Sequence, residues 1–324
     1  MGLKVKLWGI RGSLPAPHSP AQIEEKMAVV LNRYMATGGS VSPEEFLRSL
    51  KPFEGGGFGG HTSCMQYVSP TASIIVDGGS GIRALGEELM NGPCGRGQGQ
   101  LHLFMTHFHW DHLMGLPFFT PLFVPGNRIS FYAVQEDLEQ NIRKLFCKPN
   151  FPVAYESLES KISFKKLTPR QGIQIEDMRL TPYQLDHPDP CWGYRIESGG
   201  KSVAHCVDTE ARRFSRDELG DDLPLYQNAD LMIFDAQYSF LEATEKVDWG
   251  HASGPLGIDL ALRESVSKVL FIHHDPAASD DKIAAVERQT REYYEARITA
   301  IQAAGQPIPS VDWCFAREGM VIEA

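Results

Sequence analysis

With 324 residues, 42% of them hydrophobic, the chain has enough apolar material to bury a sizeable core, as one large α/β domain or two smaller ones. Its 31 basic residues against 41 acidic leave a net charge of −10, which argues against a surface built mainly to hold nucleic acid or an anionic membrane. No apolar run reaches the roughly eighteen residues of a membrane span, and six widely spaced cysteines (Cys64, Cys94, Cys147, Cys191, Cys206, Cys314) without a C-x-x-C pair point to neither a disulfide framework nor a zinc ribbon.

In chain order, "MGLKVKLWGI" goes straight into alternating apolar and basic positions. That pattern predicts a strand over 3–8 and offers no signal-peptide h-region, so a reducing cytoplasm is the expected location. Residues 14–60 break the pattern, because "LPAPHSP" and "FEGGGFGG" bracket a polar stretch with two helix starts. Ser19-Pro20 with Gln22, and Ser42-Pro43 with Glu45, each place a hydroxyl at the N-cap, proline at the first helical position and a reciprocal acceptor at the third. The stretch reads as an inserted helical lid or arm on a β-rich body. Further strands are predicted at 62–68, 73–76, 101–106, 129–133, 178–185, 192–197, 202–207, 230–235, 268–272 and 318–322. Helices are predicted near 136–146 and near 254–264. The clearest covers 281–302, where Ile283, Val286, Tyr294, Ile298 and Ile301 fall near one face and Asp280 is available as a cap. No internal repeat is visible, and many strands with interspersed helices suggest two packed sheets with helices outside.

Three of the chain's 11 histidines fall inside "THFHWDH" at 106–112. With histidine scattered at this composition, H-x-H-x-D-H would arise in roughly one such chain in a thousand. A strand ending at Thr106 leaves His107 and His109 on one side of an extended backbone, while Asp111 and His112 follow as the chain turns away. Two ligand sets can therefore leave one loop. Imidazole and carboxylate together suit zinc, manganese or iron, whereas calcium would take oxygens. The bland alternative is a polar strand end. Further donors also follow β-rich runs: His187 in "TPYQLDHP", Asp208 in "KSVAHCVDTE", and His273 and His274 in "KVLFIHHDP". Singly, each would be an ordinary hydrogen-bonded residue; their joint occurrence is what carries weight.

These stretches, with "LWGIRGSLP", "GGHTSC", "IIVDGGSGIRALG", "THFHWDHLMGLPFF" and "GHAS", resemble the metallo-β-lactamase superfamily over most of the chain outside 14–60. The similarity is greatest to its phosphodiesterase branch, which includes phosphoribosyl cyclic phosphate phosphodiesterases and tRNA 3′-end processing endonucleases. The resemblance implies an αββα sandwich spanning 1–324 as a single domain, with 14–60 as an insertion and the metals at one edge. It assigns His107, His109 and His187 to one ion and Asp111, His112 and His273 to a second, with Asp208 bridging; His274 is the alternative to His273. The implied cofactors are two divalent ions, zinc foremost, with manganese or iron as alternatives. The segment resembling the family's "GHS" makes His251 the candidate proton donor to a leaving oxygen, against the plainer role of capping a helix near Ser253. Asp77 is expected to order the loop beneath the donors, and Trp110, Tyr238 and Trp249 to shape the pocket. One departure is plain, since His61 stands where the family has asparagine, in a loop expected near the pocket.

Two ions, the carboxylates Asp111 and Asp208 and one hydroxide leave the implied site near +1, which suits an anionic phosphodiester. The expected activity is hydrolysis of a small cyclic or nucleotide-like phosphodiester, with Asp111, Asp208 and His251 as the chemical residues. The expected partner is a small anionic substrate, with no membrane and no long nucleic acid; a homodimer is left open. A tRNA endonuclease would share most of the site, yet residues 14–58 hold four basic residues against five acidic, a poor arm for gripping RNA. A thioester or lactone hydrolase would use the same donors, a diiron oxygen-reducing relative would want a carboxylate at position 109, and a nonenzymatic metal-binding module would be expected to have lost donors.

Overall fold

The computed structural model describes residues 2–307 and 310–324. Alternation builds its first sheet. In β1 (Lys4–Gly9), Val5 and Leu7 are buried between half-buried Lys4, Lys6 and Trp8, as expected for a strand with only one face on the core. It is joined by β2 (Cys64–Val68), β3 (Ser73–Val76), β4 (Gln100–Phe104), β5 (Arg128–Ala133), β6 (Lys161–Lys166) and, from the far end of the chain, β14 (Val321–Glu323) in the order β14-β1-β2-β3-β4-β5-β6. The second sheet comprises β7 (Ile173–Ile175), β8 (Met178–Gln184), β9 (Trp192–Ser198), β10 (Lys201–Cys206), β11 (Leu231–Asp235), β12 (Lys268–Ile272) and β13 (Asp312–Phe315), in reverse order from β13 to β7. Its parallel strands β11 and β12 read as nearly unbroken apolar runs because both faces are covered.

One apolar core spans the two sheets, joining Val5, Leu7, Tyr67 and Val76 of the first to Tyr194, Ile196, Val203 and Ile233 of the second, all fully buried. Each such side chain contributes about 1.5–3 kcal/mol by leaving water. A second core lies on the outer face of the first sheet, where Ile75, Leu103 and Phe131 meet Leu85 of α4 (Ile82–Met90) and Ile142 of α6 (Leu138–Leu145). The outer face of the second sheet takes α9 (Gly254–Glu264) and α10 (Asp280–Ala303). Gly257 of α9 permits that approach, since a Cβ there would lie 2.6 Å from Phe271 and 2.7 Å from Phe234. The layers are thus helix, sheet, sheet, helix.

Residues 14–60 carry α1 (Pro20–Met35), α2 (Pro43–Ser49) and α3 (Pro52–Gly55). Both expected starts are present as reciprocal capping boxes on Ser19 and Ser42. No residue of α1 is buried. The helix is tied down electrostatically: Lys26 Nζ donates to Asp280 Oδ2 at 2.5 Å and to Phe53 O at 2.9 Å, and His18 Nε2 lies 2.8 Å from Asp280 Oδ2. Short helices α5 (Trp110–Leu113), α7 (Arg216–Leu219) and α8 (Phe240–Glu245) complete the ten α-helices among the described residues.

Four details differ from the sequence reading. Asp280 does not cap α10; Ser279 does, accepting from Lys282 N at 3.2 Å, while Asp280 serves the arm. The strand expected at 318–322 is displaced to 321–323, because Arg317–Met320 turns about Gly319 at φ +83°. β4 ends at Phe104 rather than Thr106, and β6, β7 and β13 were not anticipated.

Candidate metal centre

The strands of the first sheet from β3 to β6 run parallel, as do β10 to β13 of the second, so their C-terminal ends share an edge in each sheet. Polar residues gather there. Asp77 follows β3 and His107 follows β4; His187, Asp208 and His273 follow β8, β10 and β12, and Asp235 ends β11. Two of these residues hold left-handed backbone, Asp77 at φ +63° and His273 at φ +66°. Such conformations in non-glycine residues cost free energy and persist where the surroundings fix them. Gly12 is required for a related reason: a Cβ there would lie 2.3 Å from Gln237 Oε1 and 2.5 Å from His273 Nδ1.

The expected donors come together as two groups sharing one residue. His107, His109, His187 and Asp208 form the first, and Asp111, His112, Asp208 and His273 the second, with donor atoms in each group within 4.8 Å of one another. His273 Nε2 stands 3.1 Å from Asp208 Oδ1 and 3.2 Å from Asp111 Oδ2, and His112 Nε2 lies 3.3 Å from each of those oxygens. His274 is outside both groups: its Nε2 donates to Ala316 O at 3.0 Å and its ring stacks on Phe315.

Supporting contacts fix which ring nitrogen is free. His112 Nδ1 donates to Asp77 Oδ2 at 2.7 Å. Thr106 Oγ1 donates to Asp77 and accepts from His107 Nδ1 at 3.0 Å, which leaves His107 Nε2 with its lone pair. His187 Nδ1 lies 3.1 Å from Asp189 O, and His109 Nε2 donates to Asp189 Oδ2 at 2.9 Å. Among the described residues, buried His107 Nε2, His112 Nε2, His187 Nε2 and Asp208 Oδ1 have no hydrogen-bond partner. Buried polar atoms are rarely left so; several imidazole and carboxylate donor atoms converging without hydrogen-bond partners fit divalent cations.

The electrostatics point the same way. Burial works against charge on Asp111 and Asp208, yet His112 and His273 hold both carboxyls well below the usual carboxylate range. Burial keeps His107 and His187 below the ordinary imidazole value, the neutral form a metal takes. His112 is driven up despite burial, because Asp208, Asp111 and Asp77 surround it. The cluster is an excess of buried negative charge seeking cations.

His251 belongs to a third group with Asp208, Asp235 and His273. Its Nδ1 donates to Asp235 Oδ2 at 2.8 Å. Burial alone would lower its pKa, but the Asp235 carboxylate pushes it up to about 9. It does not cap α9, whose N-cap is Ser253 with no side-chain capping bond. Asp235 was missed at the sequence level; its signal was an acid ending the apolar strand "LMIFD", the pattern that marked Asp208. Lys246 and Asp189 were missed as well, as was Ser13, whose backbone N–H donates to Asp111 Oδ2 at 2.8 Å. Over the donors opens a cavity of about 530 Å³, whose wall includes Trp110, Tyr238, Lys246, Trp249 and His251. His61 is not part of that wall; its Nδ1 lies 3.1 Å from Ser80 Oγ.

Known proteins resemble this chain in sequence or in fold. Ribonuclease Z of Staphylococcus carnosus (strain TM300) is 27% identical over 160 residues, spanning 45% of this chain and 47% of that protein, so the chain matches just under half of that relative's length. Among solved structures, the metallo-beta-lactamase fold protein YhfI from Bacillus subtilis superposes with a TM-score of 0.63 at 18% identity over 99% of both chains. A diphosphatase from the PhnP family does so at 0.59 and 15% identity, over 99% of this chain and 98% of that one. The family model described as the beta-lactamase superfamily domain matches residues 73–274, from the first residue of β3 through every donor named above; the chain belongs to the beta-lactamase superfamily.

Proposed function

We propose that the chain is a metal-dependent hydrolase that cleaves a small phosphodiester. The observation that carries this reading is the pair of donor groups sharing Asp208 beneath an open cavity. His107, His109, His187 and Asp208 would hold one divalent ion and Asp111, His112, His273 and Asp208 the other, zinc first, with manganese or iron as alternatives. Bound there, two such ions supply a water of lowered pKa and offset the charge of a phosphoryl group. The chain's own residues do the rest. Asp77 and Thr106 orient His112 and His107, and Asp235 holds a proton on His251. With Nδ1 committed to Asp235, His251 has Nε2 left to protonate the departing oxygen.

Phosphorus–oxygen substrates are favoured by the names of two similar proteins, a ribonuclease Z and a diphosphatase. Long RNA is disfavoured by the arm, whose residues 14–58 hold five acids and four bases. We read 1–324 as one hydrolase domain with 14–60 as its helical insertion. The test is turnover by the metal-loaded protein of cyclic nucleotides, dinucleotides, other phosphodiesters, thioesters, lactones and a tRNA precursor. Phosphodiesters are expected to lead; a hundredfold higher kcat/KM on a thioester would replace this reading with the thioester hydrolase.

A further inference from the structure

The chain has 5 tryptophans. Trp192 and Trp313 are buried and Trp8 half-buried, as indoles usually are, but Trp110 is 66% exposed and Trp249 is 63% exposed. Both line the cavity over the donor groups. Trp110 lies between His109 and Asp111 at the start of α5, and Trp249 precedes His251 by two residues. Their positions are therefore set by the same backbone that places the chemistry.

Beside them sits the one Lys or Arg side chain of that wall among the described residues. Lys246 Nζ is 4.0 Å from the ring centroid of Tyr238 and 5.6 Å from that of Trp249, with Asp275 Oδ2 at 4.0 Å. An ammonium held against two aromatic faces is a fixed cation rather than a freely waving one. The remaining apolar groups of the wall are also telling: Phe108 and Pro276 are present, and no Leu, Ile, Val or Met is among them. An acyl chain would be met by branched aliphatic side chains. Flat rings with one fixed cation suit a flat, polar, anion-bearing ligand. A volume of about 530 Å³ is that of a small-molecule site.

We propose that Trp110, Trp249 and Lys246 form a subsite for the nucleoside part of the substrate, the indoles stacking on the base and Lys246 fixing the anionic end, so that the diester cleaved is a nucleotide ester. This rests on the phosphodiesterase reading above and names its substrate class. Stacking on one aromatic residue is commonly worth about tenfold or more in affinity.

Two measurements test it. In the first, the metal-loaded protein hydrolyses adenosine 5′-(p-nitrophenyl phosphate) and methyl p-nitrophenyl phosphate, which share a leaving group and differ in the nucleoside. Wild type is expected to prefer the nucleotide ester by at least tenfold in kcat/KM, chiefly through KM. Trp249→Ala and Trp110→Ala should each lower that preference by about tenfold, and Trp249→Phe should restore part of it. Phe214→Ala, which removes an exposed ring outside the cavity, should leave both substrates as in wild type. In the second, indole fluorescence is titrated with AMP and with ribose 5-phosphate. Saturable quenching by AMP, weakened in Trp249→Ala and in Lys246→Met, supports the subsite even if neither ester is cleaved, in which case the hydrolase reading falls by itself. Equal turnover of both esters in wild type, or AMP quenching no different from ribose 5-phosphate, overturns the subsite while leaving the hydrolase standing.

Discussion

Asp208 faces both donor groups, and its carboxylate is fully enclosed beside His112 and His273. Asp208→Ala is expected to reduce the metal content of pure protein from about two ions per chain to one or fewer, measured by elemental analysis; full double occupancy would remove Asp208 from the assignment. His251 makes a different prediction, because the proposal gives it the proton for the leaving group, with Nδ1 held by Asp235. His251→Ala should lower kcat on an alkyl diester by roughly 10²–10⁴ with both metals still bound, and on a nitrophenyl diester far less, since nitrophenolate departs without a proton. Equal losses on the two substrates would end the proton-donor role. His205 is a third case, buried without a place in the chemistry and 2.7 Å from Tyr67 Oη through Nδ1. Burial lowers its pKa from 6.5 to about 4. Between those values the unfolded chain holds the extra proton, so this contribution to stability is whole above pH 6.5 and is lost as pH falls toward 4, by about 3 kcal/mol in all. Urea melts across that range should show the decline in wild type and a shallower one in His205→Gln, which cannot titrate there.

At the level of elements, the arm is the segment held least by apolar packing. α1 exposes Ile23, Met27, Leu31 and Met35, and its attachment to α10 runs through Lys26 and His18 to buried Asp280. Lys26→Met should speed proteolysis and amide exchange within 14–58 while moving the main thermal transition by only a few degrees; a transition that shifts as far as the arm loosens would show that the arm and body melt together. Two of the arm's three helices, α1 and α2, were legible because Ser-Pro-x-Gln and Ser-Pro-x-Glu are local signals complete within four residues; α3 carries no such signal. β6 was not legible, although "KISFKK" alternates, because its basic residues outnumber the two half-buried apolar ones, Ile162 and Phe164, that pack into the outer core beside α6. β7 and β13, three and four residues long, carry too little pattern to stand out and exist through their neighbours. The donors follow the same division. Those in "THFHWDH" were legible by spacing, and His187, Asp208 and His273 by their shared position after strands. The pairing of Asp235 with His251, the choice of His273 over His274 and the role of Lys246 depend on how loops and strand ends pack in three dimensions, which no local pattern encodes.

For the molecule as a whole, each donor group draws from both sheets: His107, His109, Asp111 and His112 follow β4 of the first, whereas His187, Asp208 and His273 follow strands of the second. Ions held there would bind only the docked pair of sheets. Chelation is then expected to lower Tm by on the order of 5 °C or more, and added zinc to restore it; an unchanged Tm with activity lost would place the ions outside the stability of the fold. The division of donors between layers also bears on synthesis. Residues 1–186 can form the whole first sheet except β14 and display four of the seven donors; the first group is complete once Asp208 has been made, the second only after β12 and His273 have followed. A nascent or clipped chain lacking that last histidine would keep the first group and lose the second, so any chemistry that needs two ions would be withheld from such a fragment.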